Sequence, residues 1–166
     1  MIISVHVADV GVRGVLAALR MSPRPGSRPG LRCGAMMLTA PLSGSLLSRP
    51  DPHRVGLLTF WDNDDALDAF LAEDPVAARL ADGWHARLAP TRVVGDWPGL
   101  SDDPPFGPTD GPAITVTLGR LRCGQTPRFL RASARAEAQA LAAPGFVWGV
   151  ALARPPMVAT CSVWRD

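Results

Sequence analysis

Few side chains in this chain can do chemistry, and their spacing limits what that chemistry could be. Four carboxylates, Asp62, Asp64, Asp65 and Asp68, stand close together. Paired carboxylates can work as general acid and base, but these occupy successive positions at a helix start. There acidic side chains cap free N–H groups and complement the helix dipole. Arg128, Arg131 and Arg135 lie three and four apart, which makes a basic, solvated helix stripe. The stretch LSGSL at 42–46 is not G-x-S-x-G and reads as a flexible loop, of the kind that can close over a barrel mouth. Cys33, Cys123 and Cys161 are odd in number and widely spaced, so they read as small buried hydrophobes and not as a disulfide framework or zinc site. No phosphate-binding, dinucleotide or H-E-x-x-H motif occurs, and no metal site is expected.

The elements that must position these residues follow from hydrophobic period. Residues 2–8 alternate as a strand, with Ile3, Val5 and Val7 on one face and Ser4 and His6 on the other. A helix over 11–21 places Val12, Val15, Leu16 and Leu19 on one side. The Pro/Gly-rich stretch 23–30 is a loop, and strands are expected at 31–39 and 55–61. A helix from Asn63 or Asp64 buries Leu67, Phe70 and Leu71 and breaks at Pro75. A strand over 84–94 closes a β-α-β-β-α-β unit, the split βαβ arrangement of ferredoxin-like folds.

After a Pro-, Gly- and Asp-rich linker the pattern restarts. ITVTL at 114–118 echoes ISVHV at 3–7, and a helix over 127–143 has proline at its first turn, with Phe129, Leu130, Ala134 and Leu141 as its apolar contacts. PGFVWGVALARPP from Pro144 matches PGLRCGAMMLTAP from Pro29, aligning Gly149 with Gly34. CSVWRD then matches LTFWDN, pairing Ser162 with Thr59 and Trp164 with Trp61. Several matches in one order and spacing indicate an internal repeat. The expected class is α+β, tandem ferredoxin-like of the dimeric α/β-barrel type: a first half over 1–97, a linker over 98–112, and a second, incomplete β-α-β-β half over 113–166. Its last strand is expected to leave an open edge that a second copy of the chain would cover, making a homo-oligomer. Asp166 falls where Asp62 or Asn63 launches a helix in the first half.

The tandem halves, the passage WDNDDALDAF at 61–70 and the segment VGDWPG at 94–99 resemble the spheroidene monooxygenase-like family, within the dimeric α/β-barrel group. The resemblance covers nearly the whole chain. It implies sheet-on-sheet packing of two halves, oxygenation of an apolar polyene and, in some members, haem. Family members continue past the position of Trp164 with a helix, a His-containing segment and a final strand, so by this resemblance the chain is C-terminally truncated.

In such a two-sheet barrel, alternate strand residues face an enclosed cavity. His6, Thr59 and Trp61, with their repeat partners Ser162 and Trp164, are the expected lining, joined by Met36 and Trp148 to suit a flat apolar ligand. The other reading is a core with aromatic anchors. For haem, His6 or His85 would offer a neutral imidazole, with Arg87 and Arg92 near the propionates. The plainer reading makes His85 a hydrogen-bonded edge residue, and His53 a solvated loop residue.

Composition narrows the partners. A content of 47% hydrophobic and 19% charged residues is that of a globular protein, and no apolar run reaches the length of a membrane span. The N-terminus has no signal-peptide pattern, so a cytoplasmic location is expected. A net charge of +2, with arginine as every basic residue, does not call for nucleic acid. Two functions stand: a monooxygenase-like protein acting on or binding a small apolar, polyene-like molecule with haem as candidate cofactor, or a non-catalytic ligand-binding or oligomerisation protein of the same fold.

Overall fold

A computed structural model of the chain describes residues 1–46, 48–95, 97 and 111–165. The fold is α+β and consists of two units. The first comprises Met1–Met37 and Pro52–Thr109; the second comprises Leu38–Asp51 and Asp110–Asp166. The second unit thus takes in 38–51, ahead of the expected boundary, because the end of the second strand pairs there. The expected linker lies outside the described residues except for Gly111 and Pro112, as does Asp166 with its expected capping role.

In the first unit, β1 (Ile2–Asp9) leads to α1 (Gly11–Arg20), β2 (Leu31–Pro41, in this unit as far as Met37) and β3 (Arg54–Trp61). Then come α2 (Asp64–Glu73), α3 (Pro75–Leu80) and β4 (Trp84–Leu88). β1 is central: antiparallel to β3, with Ile2 opposite Trp61, and to β4, with Ile3 opposite Leu88. The strand order is β4-β1-β3-β2. β4 stops at Leu88, short of the expected Val94, because Pro90 has no N–H to continue a ladder.

Local chemistry fixes the helix ends. Asn63 caps α2 by accepting from the Ala66 N–H at 2.9 Å, and Asp64 and Asp65 fill its first turn. Asp74 ends α2 and caps α3, accepting from the Val76 N–H at 2.8 Å while Pro75 opens the new helix. Leu67, Phe70, Val76, Ala77 and Leu80 are buried by this helix pair. α1 turns differently from the expected face: Val15 and Ala18 are buried, whereas Val12 and Leu16 are exposed. The two buried side chains of α1, Val15 and Ala18, are smaller than the leucines of the expected face.

In the second unit, β5 (Ala113–Arg120) leads to α4 (Thr126–Ala142), β6 (Phe146–Arg154) and β7 (Met157–Trp164). β7 is antiparallel to β5, with Thr115 opposite Ser162, and to β6, with Ala151 opposite Thr160. The end of β2 pairs with β6, Leu38 opposite Ala153, giving the order β2-β6-β7-β5. The final strand is therefore flanked on both sides, and it is β5 that stands last in the order. The open edge expected of β7 is corrected accordingly: the strand after the linker takes the outer place because β7 inserts between it and β6.

Candidate functional site

Strand alternation sets one face of the second unit's sheet. Thr115 and Thr117 on β5 stand opposite Ser162 and Thr160 on β7, which in turn stand opposite Gly149 and Ala151 on β6. All these side chains are small. The face of α4 turned to them is mostly small, carrying Ala134, Ala136 and Ala140 beside Leu130, Glu137 and one large ring, Phe129. Two surfaces of mostly small side chains cannot interdigitate to native density. A cavity of about 610 Å³ remains between them, within the size range of sites for drug-sized ligands.

A strap, described at 42–46 and 48–50, adds Leu42, Leu46 and Pro50 to the lining. Glu137 holds it to α4: one carboxylate oxygen accepts from the Ser43 N–H at 2.9 Å, the other from the Ser133 hydroxyl at 2.9 Å. Ser43 and Ser48 share a 2.6 Å hydroxyl contact, and the Asp51 N–H donates to the Thr39 carbonyl at 2.7 Å, closing the strap's base. A Cβ at Gly44 would lie 3.2 Å from the Ala138 Cβ, so glycine permits the strap's close approach to the helix. At the edge of the cavity the Trp164 indole N–H donates to Ser162 Oγ at 2.9 Å, and its ring meets Phe146 edge-on at 5.4 Å.

Of the residues singled out in the sequence, Ser162 and Trp164 line this cavity. Trp148 is on β6 but opposite Val163, so it projects to the other face of that sheet, 36% exposed. His6, Met36, Thr59 and Trp61 belong to the first unit and are buried there. The expectation that the Ser4/His6 face looks into an enclosed cavity is corrected by its neighbours. Trp61 packs on Phe70 of α2 with centroids 5.0 Å apart, and Arg87, opposite Ser4, bonds Asp64 and Asp68 of α2. That face is helix-covered core. Its polar groups satisfy one another: the Trp61 indole N–H donates to Thr59 Oγ1 at 2.9 Å, and Thr59 and Ser4 share a 2.6 Å hydroxyl contact. Met36 is buried, with its backbone N–H given to Ser22 Oγ.

His6 is the exception. Its Nε2 is buried without a hydrogen-bond partner, and its ring stacks on His85 at 5.8 Å. Burial, with the nearby His85 imidazole adding to it, pulls its pKa down to about 4, so it is neutral at pH 7. A neutral imidazole is a competent haem ligand, but His6 is 4% exposed under the helices of the first unit. His85, the other candidate, is exposed on β4 of the same unit. The cavity is drawn wholly from the second unit, and among the described residues its lining holds no His, Cys, Met or Tyr, so by itself it does not fit haem. Cys33 and Cys161 are free, and burial pushes both thiols up to about 11, leaving them inert at neutral pH.

The sequence reading missed Leu130, Ala134, Glu137 and Ala151 as a common lining. The signal was present as an alanine-rich helix face opposite a Thr/Ala strand face, a pattern that leaves volume unfilled. Searches with the chain find no matching family model, no match among curated proteins and none among solved structures. No helix among the described residues is long and apolar enough to cross a membrane.

Proposed function

We propose that the chain binds a small apolar molecule in the second unit, between α4, the strap and the small-residue face of the sheet. The observation that carries this reading is the 610 Å³ cavity lined by Ala, Leu, Thr and Trp side chains. A concave site lined mainly by carbon, with a few polar groups, accepts small apolar ligands because their burial there releases water from apolar surface. The reading is one of binding and not of turnover. Glu137 is the acidic side chain of the lining, and both its oxygens are engaged by Ser43 and Ser133. It serves as a clasp for the strap.

The spheroidene monooxygenase-like, tandem ferredoxin-like reading supplies the framework for this proposal. It is supported by the β-α-β-β order common to both units and by the Trp61–Thr59 and Trp164–Ser162 hydrogen bonds at matching places. In the same reading, pairing of two copies through the outer strand β5 makes the homo-oligomer.

Titration with the neutral fluorophore N-phenyl-1-naphthylamine tests the site. The expected result is saturable, blue-shifted emission that Ala151→Phe abolishes while the protein stays folded by circular dichroism. Emission that never saturates, or that survives Ala151→Phe, sinks the proposal.

A further inference from the structure

Four of the cavity's polar side chains stand in a row. Thr115 and Ser162 form one cross-strand pair, Thr117 and Thr160 the next, and all four belong to the lining. They make a row of hydroxyls along β5 and β7, with Thr115 and Thr117 exposed at the outer strand. Around the row, Ala151 and Ala153 on β6 and Leu130 and Ala134 on α4 offer carbon, while Ser133 and Glu137 on α4 and Ser48 on the strap, which also belong to the lining, are engaged in hydrogen bonds that hold the strap. The row on β5 and β7 is therefore the place where hydroxyls of the sheet meet the apolar part of the lining. Ser162 Oγ accepts from the Trp164 indole, which leaves the serine's own proton to donate.

Charge is the second observation. All basic residues of the chain are arginine, and among the described residues no arginine lines the cavity. A carboxylate, phosphate or sulfonate head would give up hydration there for neutral hydroxyls alone, without a counter-ion from the lining. Glu137, with each oxygen already accepting a hydrogen bond, completes a site whose free polar atoms are neutral hydroxyls.

The geometry points to an uncharged ligand: an apolar body carrying one hydrogen-bond-accepting oxygen, as in a long-chain alcohol or ketone, with that oxygen at the Ser162–Thr115 pair. This rests on the binding reading above and narrows it to a ligand class.

Displacement of N-phenyl-1-naphthylamine at pH 8 by dodecan-1-ol, dodecan-2-one, dodecane, dodecanoate and dodecylamine, each below its aggregation limit, tests it. The alcohol and ketone are expected to displace the probe at concentrations about tenfold lower than the carboxylate or the amine. Ser162→Ala is expected to weaken the alcohol and ketone roughly three- to tenfold more than it weakens dodecane or the probe, the range of one hydrogen bond. Thr115→Val, at an exposed position where folding is not at stake, is expected to do the same to a smaller degree. Equal or tighter binding of dodecanoate or dodecylamine overturns the ligand class. So does an alcohol affinity unmoved by both variants. Failure of the probe itself to bind overturns the cavity reading, a different result from either.

Discussion

The two units treat the same strand face in opposite ways. In the first, α2 and α3 follow β3 directly and press Leu67, Phe70 and Leu80 onto the sheet; Trp61 is fully buried there. In the second, the equivalent face meets α4 and a strap, and Trp164 stays half-buried beside a cavity. Both tryptophans give their indole N–H to the hydroxyl two residues earlier, at 2.9 Å in each case. The strand pattern is thus indifferent to whether it ends in a core or a binding site. What differs is the size of the side chains laid over it: Leu and Phe on α2, Ala on the inner face of α4.

That contrast can be broken by mutation, and the largest effect is expected at its aromatic pair. Trp61→Ala removes a filled core position and is expected to cost about 3–5 kcal/mol by urea unfolding. Trp164→Ala removes a partly exposed ring and is expected to cost about 1–2 kcal/mol. Equal losses would mean the two faces are packed alike.

Next comes pH. His6 has a folded pKa near 4 against an ordinary 6.5, so between these values the unfolded chain binds the extra proton. The stability due to neutral His6 is present above pH 6.5 and is lost as pH falls toward 4, on the order of 3 kcal/mol in all. Urea midpoints measured from pH 7.5 to 4 should fall accordingly, and His6→Leu should flatten the profile through this window. An unchanged slope in that variant would place the pH response elsewhere.

Glycine substitutions sharpen the comparison further. A Cβ at Gly34 would lie 2.6 Å from Thr59 Cγ2 and 3.1 Å from the Leu58 carbonyl oxygen, atoms fixed in the packed sheet. At Gly149 a Cβ would likewise meet a carbonyl oxygen, that of Cys161 at 3.2 Å, but the nearest atom, at 2.4 Å, is Leu42 Cδ1, the far end of a strap side chain that can shift. Gly34→Ala should cost about 1–3 kcal/mol. Gly149→Ala should cost under about 1 kcal/mol and show itself as faster exchange of a cavity-bound probe. The smallest effect is expected at Arg87, whose pairs with Asp64 and Asp68 are exposed: Arg87→Ala should cost about 0.5 kcal/mol, less in high salt.

Much of this architecture could be read from the residues. Alternation in 2–8 marked β1, proline and acidic punctuation marked the starts of α2 and α3, and the stretches holding Thr59 with Trp61 and Ser162 with Trp164 read as strands and are strands. The site was less legible. His6, Met36, Thr59 and Trp61 share the strand period of Ser162 and Trp164, and period alone cannot say what lies above a face. Glu137 and the strap come together across 94 positions of sequence, a contact no local pattern announces.

What the sequence determined by itself was the set of elements and their α+β order, because periodicity, capping and turn chemistry act over a few residues. Only the tertiary structure decided which face of each strand became core and which became cavity. It did so through the volumes of side chains brought from distant elements, large under α2 and α3, small under α4.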